Sequence, residues 1–134
     1  QALTRVDRSV SLTLSSAAGR WVLAGSHAQI HNEWAVASVQ TDGSIANLII
    51  DRTFVDSTTD CHWIIDYKNS QPQDGESLEL FYAREMKKYD QQLRGYGRAI
   101  EGMSEKIVYR ALFFTALGSL QPFDNAPVPA EIRV

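Results

Sequence analysis

Ile49-Ile50-Asp51-Arg52-Thr53-Phe54-Val55 and, after the polar break Asp56-Ser57-Thr58-Thr59-Asp60, Trp63-Ile64-Ile65-Asp66-Tyr67-Lys68 are the stretches that decide the fold. Each is a short apolar run rich in β-branched and aromatic residues, and the polar turn between them makes a hairpin. Working upstream, His31 to Gln40 is strand-like and Thr41-Asp42-Gly43-Ser44 is a turn signal, so strands over His31–Gln40, Ile45–Val55 and His62–Lys68 form a three-strand meander. Further upstream, Leu3, Val6, Val10, Leu12 and Leu14 predict a short helix over residues 3–17 that Gly19 ends. Trp21-Val22-Leu23 then packs somewhere before Gly25.

Working downstream, residues 69–75 read as a loop, and residues 76–103 carry Leu78, Phe81, Tyr82, Met86, Leu93 and Ile100 at helix-compatible spacings. Gly95 and Gly97 weaken that helix by about 1 kcal/mol each against alanine. Ile107 to Leu117 is a last apolar run, expected to pair beside the third strand, and the tail 121–134, with three prolines, is expected to be irregular. The order α-β-β-β-α-β predicts a mixed α/β domain.

The chain has 134 residues, 44% hydrophobic and 22% charged, which fits one domain over residues 1–134. A net charge of −3 gives no general attraction to nucleic acid, so such a function has to rest on a local patch. The single cysteine, Cys61, excludes an internal disulfide and fits a reducing compartment. No signal-like segment or membrane-length apolar run occurs, so a cytoplasmic domain without a membrane partner is expected. Gln1 in place of an initiator methionine suggests a piece of something longer, or a processed chain.

Charged groups are rarely buried unless paired or bound to a metal, and here Asp51 and Asp66 close two adjacent strand-like runs. Residues two apart on a strand share a face, so Asp66 and Lys68 point together, opposite to Trp63, Ile65 and Tyr67. A hairpin about Asp56–Asp60 brings Asp51 close to Asp66. Two such carboxylates repel unless a proton or cation lies between them, and Mg²⁺ or Mn²⁺ suits the pair. Lys68 would then orient a water or stabilise charge on a phosphate.

On the long helix Tyr89, Gln92 and Tyr96 share a face, beside a stripe of Lys87, Gln91, Arg94 and Arg98. That stripe could grip a sugar-phosphate backbone, or be a solvated helix face, and the tyrosines could be the edge of a core. Glu33 is either a salt-bridge partner within the site or simply exposed. His27 and His31 lack the glutamate of a zinc-protease motif and read as structural or incidental. His62 shares a face with Asp66 but is expected at the surface, and Cys61 is expected to be inert.

Three stretches taken in order resemble the RecB-type nuclease domain, a branch of the PD-(D/E)xK superfamily found at the C-terminus of AddA-like and UvrD-like helicase-nucleases. They are Ile49-Ile50-Asp51-Arg52-Thr53-Phe54-Val55-Asp56, Trp63-Ile64-Ile65-Asp66-Tyr67-Lys68-Asn69-Ser70 and Tyr89-Asp90-Gln91-Gln92-Leu93-Arg94-Gly95-Tyr96. The resemblance spans about residues 20–120 and includes Glu33 and the strand around Tyr109–Leu117. It implies a central mixed sheet flanked by helices, restriction-endonuclease-like, and metal-dependent hydrolysis of DNA during end processing and repair in bacteria. Asp51 and Asp66 resemble metal-binding aspartates, the Tyr67 carbonyl a further ligand, and Lys68 the catalytic lysine. Gln92 and Tyr96 resemble the helix motif that supports site and DNA.

The glycine that usually precedes the aspartate motif is absent from Ala46-Asn47-Leu48-Ile49-Ile50-Asp51, and Asn69 stands where threonine is commoner. The family's upstream metal-binding histidine would precede residue 1, and no Walker A sequence is present, so an ATP site and a second helicase-nuclease subunit would lie elsewhere. Two competing readings follow: a catalytically incomplete module that binds DNA or a partner, and an interaction domain whose acids are surface charges.

Overall fold

The computed structural model describes residues 15–132. The helix expected from residue 3 therefore lies largely outside the described residues. Within them, helix α1 (Ala17–Val22) starts at Ser16, whose hydroxyl accepts from the Gly19 N–H at 2.8 Å. Gly19 does not end a helix as expected. It sits buried inside this one, one turn past the cap.

Five strands form one mixed sheet in the order β1-β2-β3-β4-β5. β1 (Ala28–Val39) and β2 (Ile45–Asp56) are antiparallel about the Asp42-Gly43 turn, where Asp42 accepts from the Ser44 N–H at 2.9 Å and Gly43 has φ 87°. β3 (Cys61–Lys68) pairs antiparallel with β2 after a turn in which the Asp56 carboxylate accepts from the Thr58 and Thr59 amides. Helix α2 (Leu78–Glu101) then crosses over the sheet, so that β4 (Val108–Phe114) pairs parallel with β3. A short β5 (Ser119–Pro122) adds antiparallel to β4. This strand lies partly in the tail expected to be irregular; four residues ending in proline give no readable alternation. A 3₁₀ turn over Ala130–Ile132 follows.

β3 and β4 are central strands covered on both faces, which is why Trp63-Ile64-Ile65 and Ala111-Leu112-Phe113-Phe114 are uninterrupted apolar runs. Under α2 the core holds Val36, Ile50, Ile64, Phe81, Leu93, Ile100, Leu112 and Phe114. On the opposite face α1 and the C-terminal segment cover Phe54, Trp63, Ile65 and Phe113. Gly97 has a packing reason: a Cβ there would stand 3.2 Å from the Arg110 side chain beneath α2. Among the described residues no helix is long and apolar enough to cross a membrane.

One departure from simple alternation positions the site. Trp34, Leu48 and Ile50 belong to the core under α2. Asn32, Arg52 and Phe54, an even number of residues away, belong instead to the α1 side. The faces exchange at Glu33 and Asp51, where Glu33 adopts φ 47°. A non-glycine residue in that left-handed region rotates the chain out of the regular pleat.

Candidate active site

Asp51 and Asp66 meet where β2 and β3 part. The ladder runs from Asp56↔Cys61 to Arg52↔Ile65, and one further step sets Asp51 opposite Asp66. There the Asp51 carboxylate replaces a backbone acceptor: its Oδ2 takes the Tyr67 N–H at 2.7 Å. Strand amides lie in the plane of the sheet, so this carboxylate fills the gap between the strands. The Lys68 carbonyl accepts from the Thr115 amide on the β4 side. Successive peptide units point to opposite edges, so the Tyr67 carbonyl faces the same gap as its own N–H.

Asp66 is 4% exposed, and its Oδ2 lies 2.8 Å from the Lys68 ammonium. The contact is a charge pair rather than a well-aligned hydrogen bond. Burial pushes the Asp66 carboxyl up to about 6; Lys68 opposes the shift, and the Asp51 charge adds to it. Burial disfavours the Lys68 ammonium, but Asp66 more than offsets this and raises its proton affinity. Lys68 is also held from above, its nitrogen 3.7 Å from the centroid of the Tyr89 ring on α2. The pair is thus an acid whose ionisation is opposed by burial, beside a lysine kept charged.

The sign for stability follows. A carboxyl that binds its proton more tightly folded than unfolded contributes most below pH 4, and that contribution is lost as pH rises through about 6. Asp66→Asn is therefore expected to match wild type at pH 3.5 and to gain about 1–2 kcal/mol on it at pH 7.5, after loss of the Lys68 contact is counted. Urea denaturation of both proteins across that range measures the difference; parallel curves would refute it.

The other expected site residues divide. The Gln92 amide donates to the Tyr96 hydroxyl at 2.7 Å, and the buried Tyr96 has its hydroxyl proton affinity raised by burial, with Asp66 and Asp51 adding to the effect. Tyr96 therefore belongs to the neighbourhood of the carboxylates. Glu33 is exposed, and the β1–β2 register puts it level with Asp51, between Asn32↔Arg52 and Trp34↔Ile50. Arg94 lies elsewhere: it binds Asp90 at 2.8 Å, and Asp90 in turn faces Arg110 at 3.8 Å, while Arg110 pairs with Asp124. That network ties α2 to β4 and the segment after β5. Arg94 thus stays on the exposed helix stripe where its spacing put it, paired there with Asp90.

His62 is buried, not at the surface as expected, with Nδ1 3.0 Å from the Ser104 hydroxyl and a proton affinity lowered chiefly by burial. His27 is structural, bonding the Trp21 carbonyl at 2.6 Å and stacking on Phe54 at 3.9 Å. Cys61 is a buried thiol.

Sequence reasoning missed Glu85 and Ser70. Glu85 is 1% exposed on α2 and accepts a hydrogen bond from the Ser70 hydroxyl, two residues beyond Lys68. Its spacing from Tyr89 is i, i+4, on the face that runs through Gln92 to Tyr96, and that periodicity was the available signal.

The donor set suits a hard divalent cation: two adjacent carboxylates, one deeply buried, with a carbonyl directed into the same gap. Among the described residues no cluster of three or more His, Cys, Asp or Glu side chains stands together. Neither a model of a known protein family nor a curated protein matches this sequence.

Proposed function

We propose that this domain is a metal-dependent DNA nuclease, hydrolysing phosphodiester bonds at the Asp51–Asp66–Lys68 site. The observation that carries the reading is the juxtaposition of two carboxylates at a strand gap with a lysine 2.8 Å from one of them. Nothing in a merely structural sheet calls for a buried acid beside a second acid, because their repulsion and desolvation both cost stability. A bound Mg²⁺ or Mn²⁺ would remove that repulsion and supply Lewis acidity toward a phosphate oxygen. Asp51 and Asp66 would hold it, with the Tyr67 carbonyl. Lys68 stabilises negative charge on the phosphate, and Gln92 and Tyr96 border the substrate. The resemblance to RecB-type nuclease motifs, and the restriction-endonuclease-like arrangement it implies, support the same reading. The same resemblance implies a larger bacterial helicase-nuclease working in DNA repair.

Calorimetric titration with Mn²⁺, paired with a cleavage assay on DNA, tests this on wild type and Asp66→Ala. Binding and cleavage present in wild type and absent in the variant are expected. Cleavage that survives in Asp66→Ala would overturn the assignment.

A second reading rests on one observation: the described residues bring only two acids together at this gap, with no histidine beside them. A DNA- or partner-binding module that lacks its full ligand set would bind Mn²⁺ or DNA without cleaving it.

A further inference from the structure

We propose that His31 and Trp34 form a stacking platform for an unpaired nucleobase, which makes single-stranded DNA the preferred ligand. The proposal rests on the DNA-processing reading above. In a regular strand, residues three apart face opposite sides of the sheet. Here the His31 and Trp34 rings stack, with centroids 3.8 Å apart and planes 9° from parallel. The left-handed Glu33 between them, φ 47°, makes this possible. The backbone thus leaves the β region at the one point that turns two aromatic rings face to face.

The location gives the pair its use. β1 is an edge strand, and both rings are only half-buried. His31 pairs with Thr53 and Trp34 with Ile50, so the two rings bracket the level of Asp51 one strand away, about 4.8 Å across the sheet. A base resting there would keep its own backbone beside the carboxylate gap.

Charge argues for the same ligand class. The chain is acidic overall, Glu33 is exposed between the two rings, and Arg94 is occupied by Asp90. Phosphate attraction is therefore left to Lys68 and to exposed groups on α2 such as Lys87 and Arg98, and stacking on an aromatic face adds affinity with any base. A base inside a duplex has both faces covered by its neighbours, so an aromatic platform selects unstacked bases.

The three tryptophans permit a direct test. Trp21, on α1, and Trp63, beneath it, are 8% and 0% exposed, which leaves Trp34 as the indole within reach of a ligand. Tryptophan emission is recorded while a fifteen-nucleotide oligothymidine, roughly the upper end of a single-strand site, is added with Ca²⁺ in place of Mg²⁺. A duplex of equal length is the comparison. Quenching by the single strand and little by the duplex is expected. His31→Ala and Trp34→Ala should weaken single-strand affinity by about tenfold or more with duplex affinity unchanged. Trp34→Phe, which preserves the packing, should keep most of the affinity while abolishing the quench. Single-strand binding without quenching, or at wild-type strength in Trp34→Ala, overturns the platform. Metal-dependent cleavage with unquenched Trp34 overturns the platform and leaves the nuclease reading standing, whereas no binding of either DNA overturns both.

Discussion

Lys68→Ala is expected to lower metal-dependent DNA cleavage by about a hundred- to a thousandfold, the range for removing one preorganised electrostatic group. The side chain is fixed from two directions, by the Asp66 carboxylate at 2.8 Å and by the Tyr89 ring at 3.7 Å. Its charge is therefore already oriented before a phosphate arrives, and no reorganisation is needed at the moment of reaction. Stability should fall, because the buried Asp66 carboxylate is left without its cationic partner and binds its proton still more tightly. Lys68→Arg should recover little, since a planar guanidinium cannot occupy the same point above the Tyr89 ring. Rates measured at saturating Mn²⁺ on wild type and both variants decide the matter, with circular dichroism showing that the fold persists. Cleavage by Lys68→Ala within about tenfold of wild type would remove the lysine from the mechanism.

The largest stability loss from a single side chain is expected at Arg52. This residue is 5% exposed. Its guanidinium donates to the Val22 carbonyl at 2.5 Å, the Ala24 carbonyl at 3.1 Å and the Asn32 amide oxygen at 2.9 Å. It therefore satisfies carbonyls at the C-terminus of α1, favours that end of the helix dipole, and ties helix, β1 and β2 together. Its carbon lies 5.4 Å from the Phe54 ring centroid. Arg52→Ala leaves the buried Val22 carbonyl and two less buried acceptors without their donor, and a cavity the size of the side chain, at a cost of about 3–4 kcal/mol. That corresponds to a fall in Tm on the order of 10–20 °C for a domain of this size. Arg52→Lys should recover only a fraction, because an ammonium cannot donate along three divergent directions in one plane. Thermal melts monitored by circular dichroism measure both; a loss under 1 kcal/mol for Arg52→Ala would show that water replaces the guanidinium there.

The contrast between these two residues shows what the sequence made legible. The meander, the long helix and the strand beside β3 could be read because their apolar spacing matches strand or helix periods over many residues. The closeness of Asp51 and Asp66 could be read because a hairpin turn of known length sets the register. Two of the three partners of Arg52 could not, since they are backbone carbonyls about thirty residues away that carry no residue signature. The exchange of faces at Glu33 is likewise invisible, because nothing in a glutamate announces a positive φ. His62 reads as a surface residue by its polarity, while its burial comes from the parallel β4 and the loop carrying Ser104, which only tertiary packing brings. Arg94 fitted a basic stripe by spacing alone; Asp90, one turn earlier on the same helix, was the available sign that it is engaged.

The hydrogen bond from the Tyr67 amide to Asp51 gives the molecule an internal reporter. Most strand amides are held by a neighbouring carbonyl and reflect only whether the sheet is intact. This one is held by an ionisable side chain, so its proton resonance and its exchange with solvent follow the occupancy and charge of the carboxylate. A cation drawing on Asp51 would weaken the bond and shift that single amide, while amides deep in β3 stay unchanged. Nuclear magnetic resonance can therefore separate events at the carboxylate gap from loosening of the sheet, without a substrate and without turnover.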